Sequence, residues 1–256
     1  MEKRKDIEGY IFCHKPVPYG VWDNKLYTPL EVGAALREPL FELRDNTGDN
    51  ISALNVYYAE NTGAYWIWKH HSKEAEYILQ CQYRRRLEFD EDLDFCQFFK
   101  DYDIIVASPL MLLKTSVYGQ YAECHSEDDI KLVEDIIKDK FPEYSESFER
   151  YIKFGTFLFY SNGFVMRAEH YDRYAEWLFS ILDEFRYRKG WDTEEQILAD
   201  ISTDIKRKKR PGTRGARYQA QVGGFLSERL LTLYILHNFD KKRIMCRDYK
   251  KFEEGL

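Results

Sequence analysis

Short apolar runs recur along this chain with helix-period segments between them, and that alternation constrains the fold more than any other feature. Residues 7–13 read as a buried first strand. Residues 77–86, YILQCQYRRR, read as a second strand, in which Tyr77, Ile78 and Leu79 lead through Cys81 into three arginines. Residues 103–107, DIIVA, give another strand, and 157–166 give an apolar strand interrupted by Ser161-Asn162-Gly163. Between them Ile51, Leu54, Tyr58, Tyr65 and Trp68 fall on one helical face. Ser126 reads as the N-cap of a helix to Lys140, with Glu127, Asp128 and Asp129 in its first turn. Tyr171, Tyr174, Leu178, Leu182 and Phe185 mark a long helix. Residues 194–209 read as helical, and Gly223-Gly224 opens a last helix over 225–236. Strands alternating with helices predict an α/β fold with a mostly parallel central sheet and a helical C-terminal part.

At 256 residues, 44% hydrophobic and 16% aromatic, the chain can bury a sizeable core. It reads as a single domain, with halves near 1–115 and 116–256. A net charge of -6 argues against a nucleic-acid partner. The basic stretch 206–217, KRKKRPGTRGAR, reads as a mobile loop without packed structure. No run of 18 apolar residues exists, and MEKRKDIEGY lacks the apolar core of a signal peptide. The five cysteines, odd in number and without CxxC spacing, argue against zinc or a disulfide framework. A cytoplasmic protein is expected.

Ligands of open α/β sheets bind beyond the carboxyl ends of the strands. Arg84 and Arg85 therefore stand where a diphosphate would be held, since guanidinium groups grip phosphate bidentately and stay charged. The competing reading pairs the arginines with Glu88, Asp90, Glu91 and Asp92. The turn RDNTGDN places Asp45, Asp49 and Asn50 before a helix N-terminus, where backbone N–H groups attract anions; the plainer reading is a turn with a cap. Asn162-Gly163 interrupts a strand, with glycine permitting close approach and asparagine both donating and accepting. Glu228, near the start of the last helix, is a candidate general base; a charge pair with Arg229 is its structural alternative. Tyr65, Trp66 and Trp68 read as core, His237 as structural, and Asp183 and Glu184 as a solvated face.

Taken in order, several segments resemble a family of bacterial glycosyltransferases from capsule and surface-polysaccharide gene clusters, long labelled a domain of unknown function. They are His14-Lys15-Pro16, VGAAL at 32–36, DNTGDNIS at 45–52 with Asn55, and Glu60, Thr62 and YWIWK at 65–69. Tyr83-Arg84-Arg85, Asn162 with Met166, EWLF at 176–179 and GFLSERLL at 224–231 complete the set. The resemblance implies a GT-A-like, Rossmann-related domain that moves a hexose from a nucleotide sugar, with UDP the expected nucleotide. Some members are associated with galactofuranose transfer. It implies a lipid-linked oligosaccharide acceptor and an inverting reaction at the inner face of the membrane, with 206–217 as a possible bilayer contact. It also adds His14, Asn55 and Tyr83 to Asp45, Asp49, Asn50 and Asn162 as nucleotide- or sugar-contacting residues. The chain departs from the family at two places, with Gln82 where His is usual and Gln221 where Arg is usual. These glutamines favour the alternative of a catalytically weak or inactive sugar-nucleotide or glycan-binding protein. No carboxylate pair ends the arginine strand, so arginine in place of a metal is expected. The alternative is Mn2+ or Mg2+ held by Asp45, Asp49 or Asp103.

Overall fold

The computed structural model describes residues 5–21, 23–212 and 214–252. Ten strands are found among them: β1 (Ile7–Cys13), β2 (Thr28–Glu31), β3 (Tyr77–Gln82), β4 (Arg85–Leu87), β5 (Ile104–Ala107), β6 (Leu110–Met111), β7 (Phe157–Leu158), β8 (Phe164–Arg167), β9 (Ile244–Arg247) and β10 (Tyr249–Lys251). The helices are α1 (Asn55–Tyr58), α2 (Asn61–His70), α3 (Phe95–Asp101), α4 (Val117–Cys124), α5 (Glu127–Lys140), α6 (Ser145–Phe148), α7 (Ala168–Lys189), α8 (Glu194–Lys206), α9 (Gly215–Gln219) and α10 (Val222–Asn238).

Eight strands form one sheet. Its centre runs β2-β1-β3-β8-β5-β9, with β4 folding back from β3 and β10 pairing to β4. The sheet is mostly parallel: only β4 and β8 run against the other six strands. The central strands are buried on both faces, which is why they read as continuous apolar runs. Alternate residues serve opposite layers. Tyr10, Phe12, Ile78, Ile104, Val106, Phe164 and Met166 enter the larger core, under α1, α2 and the helices that follow α3. Ile11, Cys13, Leu79, Cys81, Ile105 and Val165 enter a smaller one under α3 and the segment around Leu26 and Tyr27. No helix among the described residues is long and apolar enough to cross a membrane.

The structure departs from the sequence reading in several places, the first being 157–166, which is not one interrupted strand: β7 pairs with β6 in a separate two-stranded sheet and β8 lies in the main one. Residues 51–70 are not one helix. A 3-10 turn enters α1, the chain reverses at Ala59 with φ 49, and α2 starts afresh. Tertiary packing imposes this break. The start of α10 docks there so closely that a Cβ on Gly224 would stand 2.8 Å from the Ala59 methyl, and Asn55 Nδ2 donates to the Ala59 carbonyl at 2.7 Å. Ser126 is the N-cap of α5, yet its side chain makes no capping bond. In the turn before β8 it is Ser161 and Asn162 that take left-handed backbone, with φ 67 and 48. Gly163 is not needed for close approach, since a Cβ there would meet nothing nearer than 3.9 Å. Finally, 206–217 is built into the fold. Arg210 is buried and pairs with buried Asp129 at 2.5 Å, Lys209 reaches Asp128, and α9 begins within the stretch.

Candidate active site

A cleft opens at the carboxyl ends of β1 and β3 as two adjoining cavities of about 440 and 450 Å³. Strand β1 delivers His14 to the first cavity, and the tight β3–β4 hairpin delivers Tyr83 and Arg84. The second holds Arg85, Tyr160, Glu228 and Arg229. Glu60, Gln82, Arg84 and Arg214 border both.

Positive charge dominates the cleft. The side chains of Arg84 and Arg85 are half-buried, and Arg85 lies 5.0 Å from the centre of the Tyr160 ring. The third arginine of the run behaves otherwise. Arg86 is buried and pairs with Asp23 at 2.9 Å and Glu88 at 2.8 Å. The structural reading therefore holds for Arg86, while Arg84 and Arg85 border the cleft. His14 packs edge-on to Tyr83 at 5.3 Å. Loss of solvent, then the charges of Arg37, Arg84 and Lys15, keeps its imidazole below the ordinary histidine range. Arg214 and Arg217, from the segment expected to be mobile, also line the cleft.

Two carboxylates sit within this basic surround. Glu228 Oε1 accepts the Ser161 N–H at 2.7 Å, and Oε2 accepts from Arg229 Nη1 at 2.9 Å. Glu60 Oε1 accepts from Gln82 Nε2 at 2.6 Å and Asn162 Nδ2 at 3.1 Å. Burial, followed by the charge of Glu228, raises the Glu60 pKa above the usual carboxylate value. Gln82, which stands where the resembling family has histidine, links the two kinds of charge: its amide donates to Glu60 and its carbonyl accepts from Arg85 at 3.5 Å. That orientation is chemically required, because carboxylates only accept and guanidinium groups only donate. Asn162 also donates to Ser227 Oγ at 2.9 Å, which in turn accepts from Asn61 at 3.0 Å.

The other expected site residues divide. Asn55 lines the first cavity while supporting the turn at Ala59. Asp45, Asp49 and Asn50 do not reach the cleft. Asp45 is fully buried; it accepts from the backbone N–H of Gly33 and Ala34 at 2.8 and 3.0 Å and from Ser52 Oγ at 2.5 Å. Exposed Asp49 accepts from Tyr65, and Asn50 closes its own turn. Asp103 pairs with Arg243. The three aspartates considered as metal ligands thus do not converge, and among the described residues no three His, Cys, Asp or Glu side chains group as a metal site. His237 stacks on Tyr144 at 3.9 Å and bonds Ser147, a packing role. Trp68 stacks on Phe179 and Trp66 is buried, both core residues. Asp183 is not merely solvated, since it accepts from Tyr58. Glu60, Arg214, Arg217, Tyr160 and Arg229 are among the cleft residues absent from the sequence-based site. The one available signal was Glu60 itself, a carboxylate inside an aromatic, helix-period stretch.

A family model described as a domain of unknown function, DUF4422, matches residues 9–199, well over half of the chain. The chain belongs to that family. Its fold is that of a glycosyltransferase, shared with a solved structure described as apo WbbM, a bifunctional glycosyltransferase. The TM-score is 0.71 at 23% identity, covering 96% of this chain and 45% of that one. The chain thus spans less than half the length of that protein. No curated protein matches.

Proposed function

We propose that the protein is a glycosyltransferase that takes a hexose from a nucleotide sugar and passes it to a glycan acceptor. One observation carries the reading: a cleft at the carboxyl ends of β1 and β3 holds arginines beside a pair of carboxylates. A leaving diphosphate develops negative charge as the glycosidic bond breaks, and fixed cations aimed at that charge lower the barrier. Arg84 and Arg85 supply them without a metal ion. An inverting transfer also needs one group to take the acceptor hydroxyl proton, and the cleft carries carboxylates for that task. The fold shared with a bifunctional glycosyltransferase supports the same reading. UDP is the proposed nucleotide, galactofuranose one candidate sugar, and a lipid-linked oligosaccharide of surface-glycan assembly the proposed acceptor, met at the cytoplasmic face of the membrane.

A thermal-shift screen against UDP-hexoses, with slow donor hydrolysis as the activity readout, tests the proposal, since selective binding stabilises by mass action. Selective stabilisation with hydrolysis that survives EDTA is the expected result. Turnover lost on chelation and restored by manganese would remove the arginine reading. Binding without any hydrolysis or transfer would favour a sugar-nucleotide-binding protein, the outcome that the Gln82 and Gln221 departures favour.

A further inference from the structure

Resting on the glycosyltransferase reading, we propose that Glu60, through Oε2, takes the proton from the acceptor hydroxyl, and that Glu228 is a positioning residue beside it. Glu60 is the carboxylate that borders both cavities, so it stands where a donor in one would meet an acceptor in the other. Its two oxygens differ. Oε1 is fixed by the amides of Gln82 and Asn162. No side-chain donor among the described residues is bonded to Oε2, which lies 3.8 Å from where a Cβ on Gly224 would stand. Glu228 has no such free oxygen, because a backbone N–H and Arg229 hold one each.

The surrounding backbone is shaped around Glu60. Ala59 before it and Asn162 against it both adopt left-handed φ, a conformation that costs free energy and persists where the fold over-determines it. The missing Cβ at Gly224 lets α10 approach this turn. Burial and the negative charge of Glu228 raise its proton affinity, which moves a carboxylate toward the range useful to a base near neutral pH. The charged groups and imidazoles around it in the two cavities are Glu228 and Arg229 of α10, Arg84 and Arg85 of the β3–β4 hairpin, Arg214 and Arg217 at the start of α9, Arg37, and the rings of His14 and His125.

In the step itself the acceptor O–H proton passes to Glu60 Oε2. The acceptor oxygen forms its bond to the anomeric carbon. The bond from that carbon to the diphosphate breaks, and its electron pair leaves with the diphosphate toward Arg84 and Arg85. With water as acceptor the same step is donor hydrolysis.

The experiment compares wild type, Glu60→Gln and Glu228→Gln in UDP-hexose hydrolysis, with UDP calorimetry and thermal melting alongside. Glu60→Gln should keep its fold and UDP affinity while turnover falls about 10²–10⁴-fold, the contribution of a positioned base. Glu228→Gln should lose less turnover and shift the acidic limb of its kcat–pH profile to lower pH, because the charge that raises the Glu60 pKa is gone. If Glu60→Gln does not fold, Glu60→Ala takes its place, and formate added to it should restore turnover. Near-wild-type turnover in Glu60→Gln or, without formate, in Glu60→Ala, with an active wild type, would overturn this assignment alone. A wild type that neither hydrolyses nor transfers any UDP-hexose would overturn the glycosyltransferase reading as well.

Discussion

Two arginine-bearing segments wall the cleft, and each sinks one arginine into the fold while presenting others to the cavity. In the hairpin after β3, Arg86 is buried and Arg84 and Arg85 line the cleft. In 206–217, Arg210 is buried and Arg214 and Arg217 line it. The anchors differ in kind. Arg86 reaches two carboxylates, Asp23 and Glu88, that are 48% and 45% exposed, and its strand is also held by β3 and β10. Arg210 meets a single carboxylate, Asp129, and the two side chains are 0% and 1% exposed. The hairpin is therefore held by backbone pairing with ion pairs added, whereas the second segment has one buried ion pair as its anchor, with the more exposed pairs Lys209–Asp128 and Arg217–Glu194 beside it.

Breaking that pair is the most damaging way to test the contrast. Asp129→Ala leaves the Arg210 guanidinium buried without its counter-charge and removes the acceptor of the Tyr121 hydroxyl bond. Losing one partner of a buried pair costs about 3–5 kcal/mol, which urea unfolding would read directly. A loss below about 1 kcal/mol, the scale of an exposed pair, would mean that 206–217 is held by something else.

Next come the cleft-lining arginines of the hairpin. If the diphosphate is bound there, Arg84→Ala and Arg85→Ala should each weaken UDP binding by roughly 1.5–3 kcal/mol, the range for hydrogen bonds to charged groups. Calorimetry with unchanged melting temperatures would separate lost contacts from lost fold. Unchanged affinity in both variants would move the diphosphate away from this hairpin.

The same two segments show what the sequence carried and what it hid. Strands β1, β3 and β5 were legible because burial on both faces demands continuous apolar runs. Arg84 and Arg85 were legible because a strand pointing into a charged tripeptide marks a sheet end. Arg86 and Arg210 were not separable from their neighbours, since a buried arginine and a solvated one look alike in a basic run. Only the distant partners, Asp23 and Asp129, distinguish them. The reversal at Ala59 was hidden for a related reason. Alanine favours helix locally, and only the docking of α10 forces it into φ 49. Glu60 then reads as one more residue of a helical face. Asp45 misled in the opposite sense: its turn-rich setting suggests a ligand site, yet its oxygens are taken by Gly33, Ala34 and Ser52.

A smaller effect reports on the Arg210 side through pH. His125 is buried, stacks on Phe225 at 4.0 Å and bonds Gln219. Burial first, then the charge of Arg229, pushes its imidazole down to about 3. The unfolded chain titrates near 6.5, so it binds the proton first as pH falls. The stability linked to neutral His125 is present above about 6.5 and is lost progressively toward about 3. Between pH 7 and 5.5, wild type should lose on the order of 1 kcal/mol more than His125→Gln in urea unfolding. Parallel losses would show that the imidazole is not held neutral by the fold.

The smallest expected effect closes the comparison from the hairpin side. Asp23→Ala removes one of the two carboxylates on Arg86, and the buried guanidinium keeps Glu88 at 2.8 Å and the Val21 carbonyl at 2.8 Å. Asp23 is 48% exposed, so solvent already screens much of its attraction. The pair should behave as a surface ion pair worth about 0–1 kcal/mol, several-fold less than the loss in Asp129→Ala. UDP affinity should not change, because Arg84 and Arg85 are positioned by the β3–β4 turn and not by Asp23. A stability loss near that of Asp129→Ala would show that Arg86 is as dependent on one partner as Arg210. A loss of UDP affinity with stability intact would show that the buried arginine sets the geometry of its two cleft-lining neighbours.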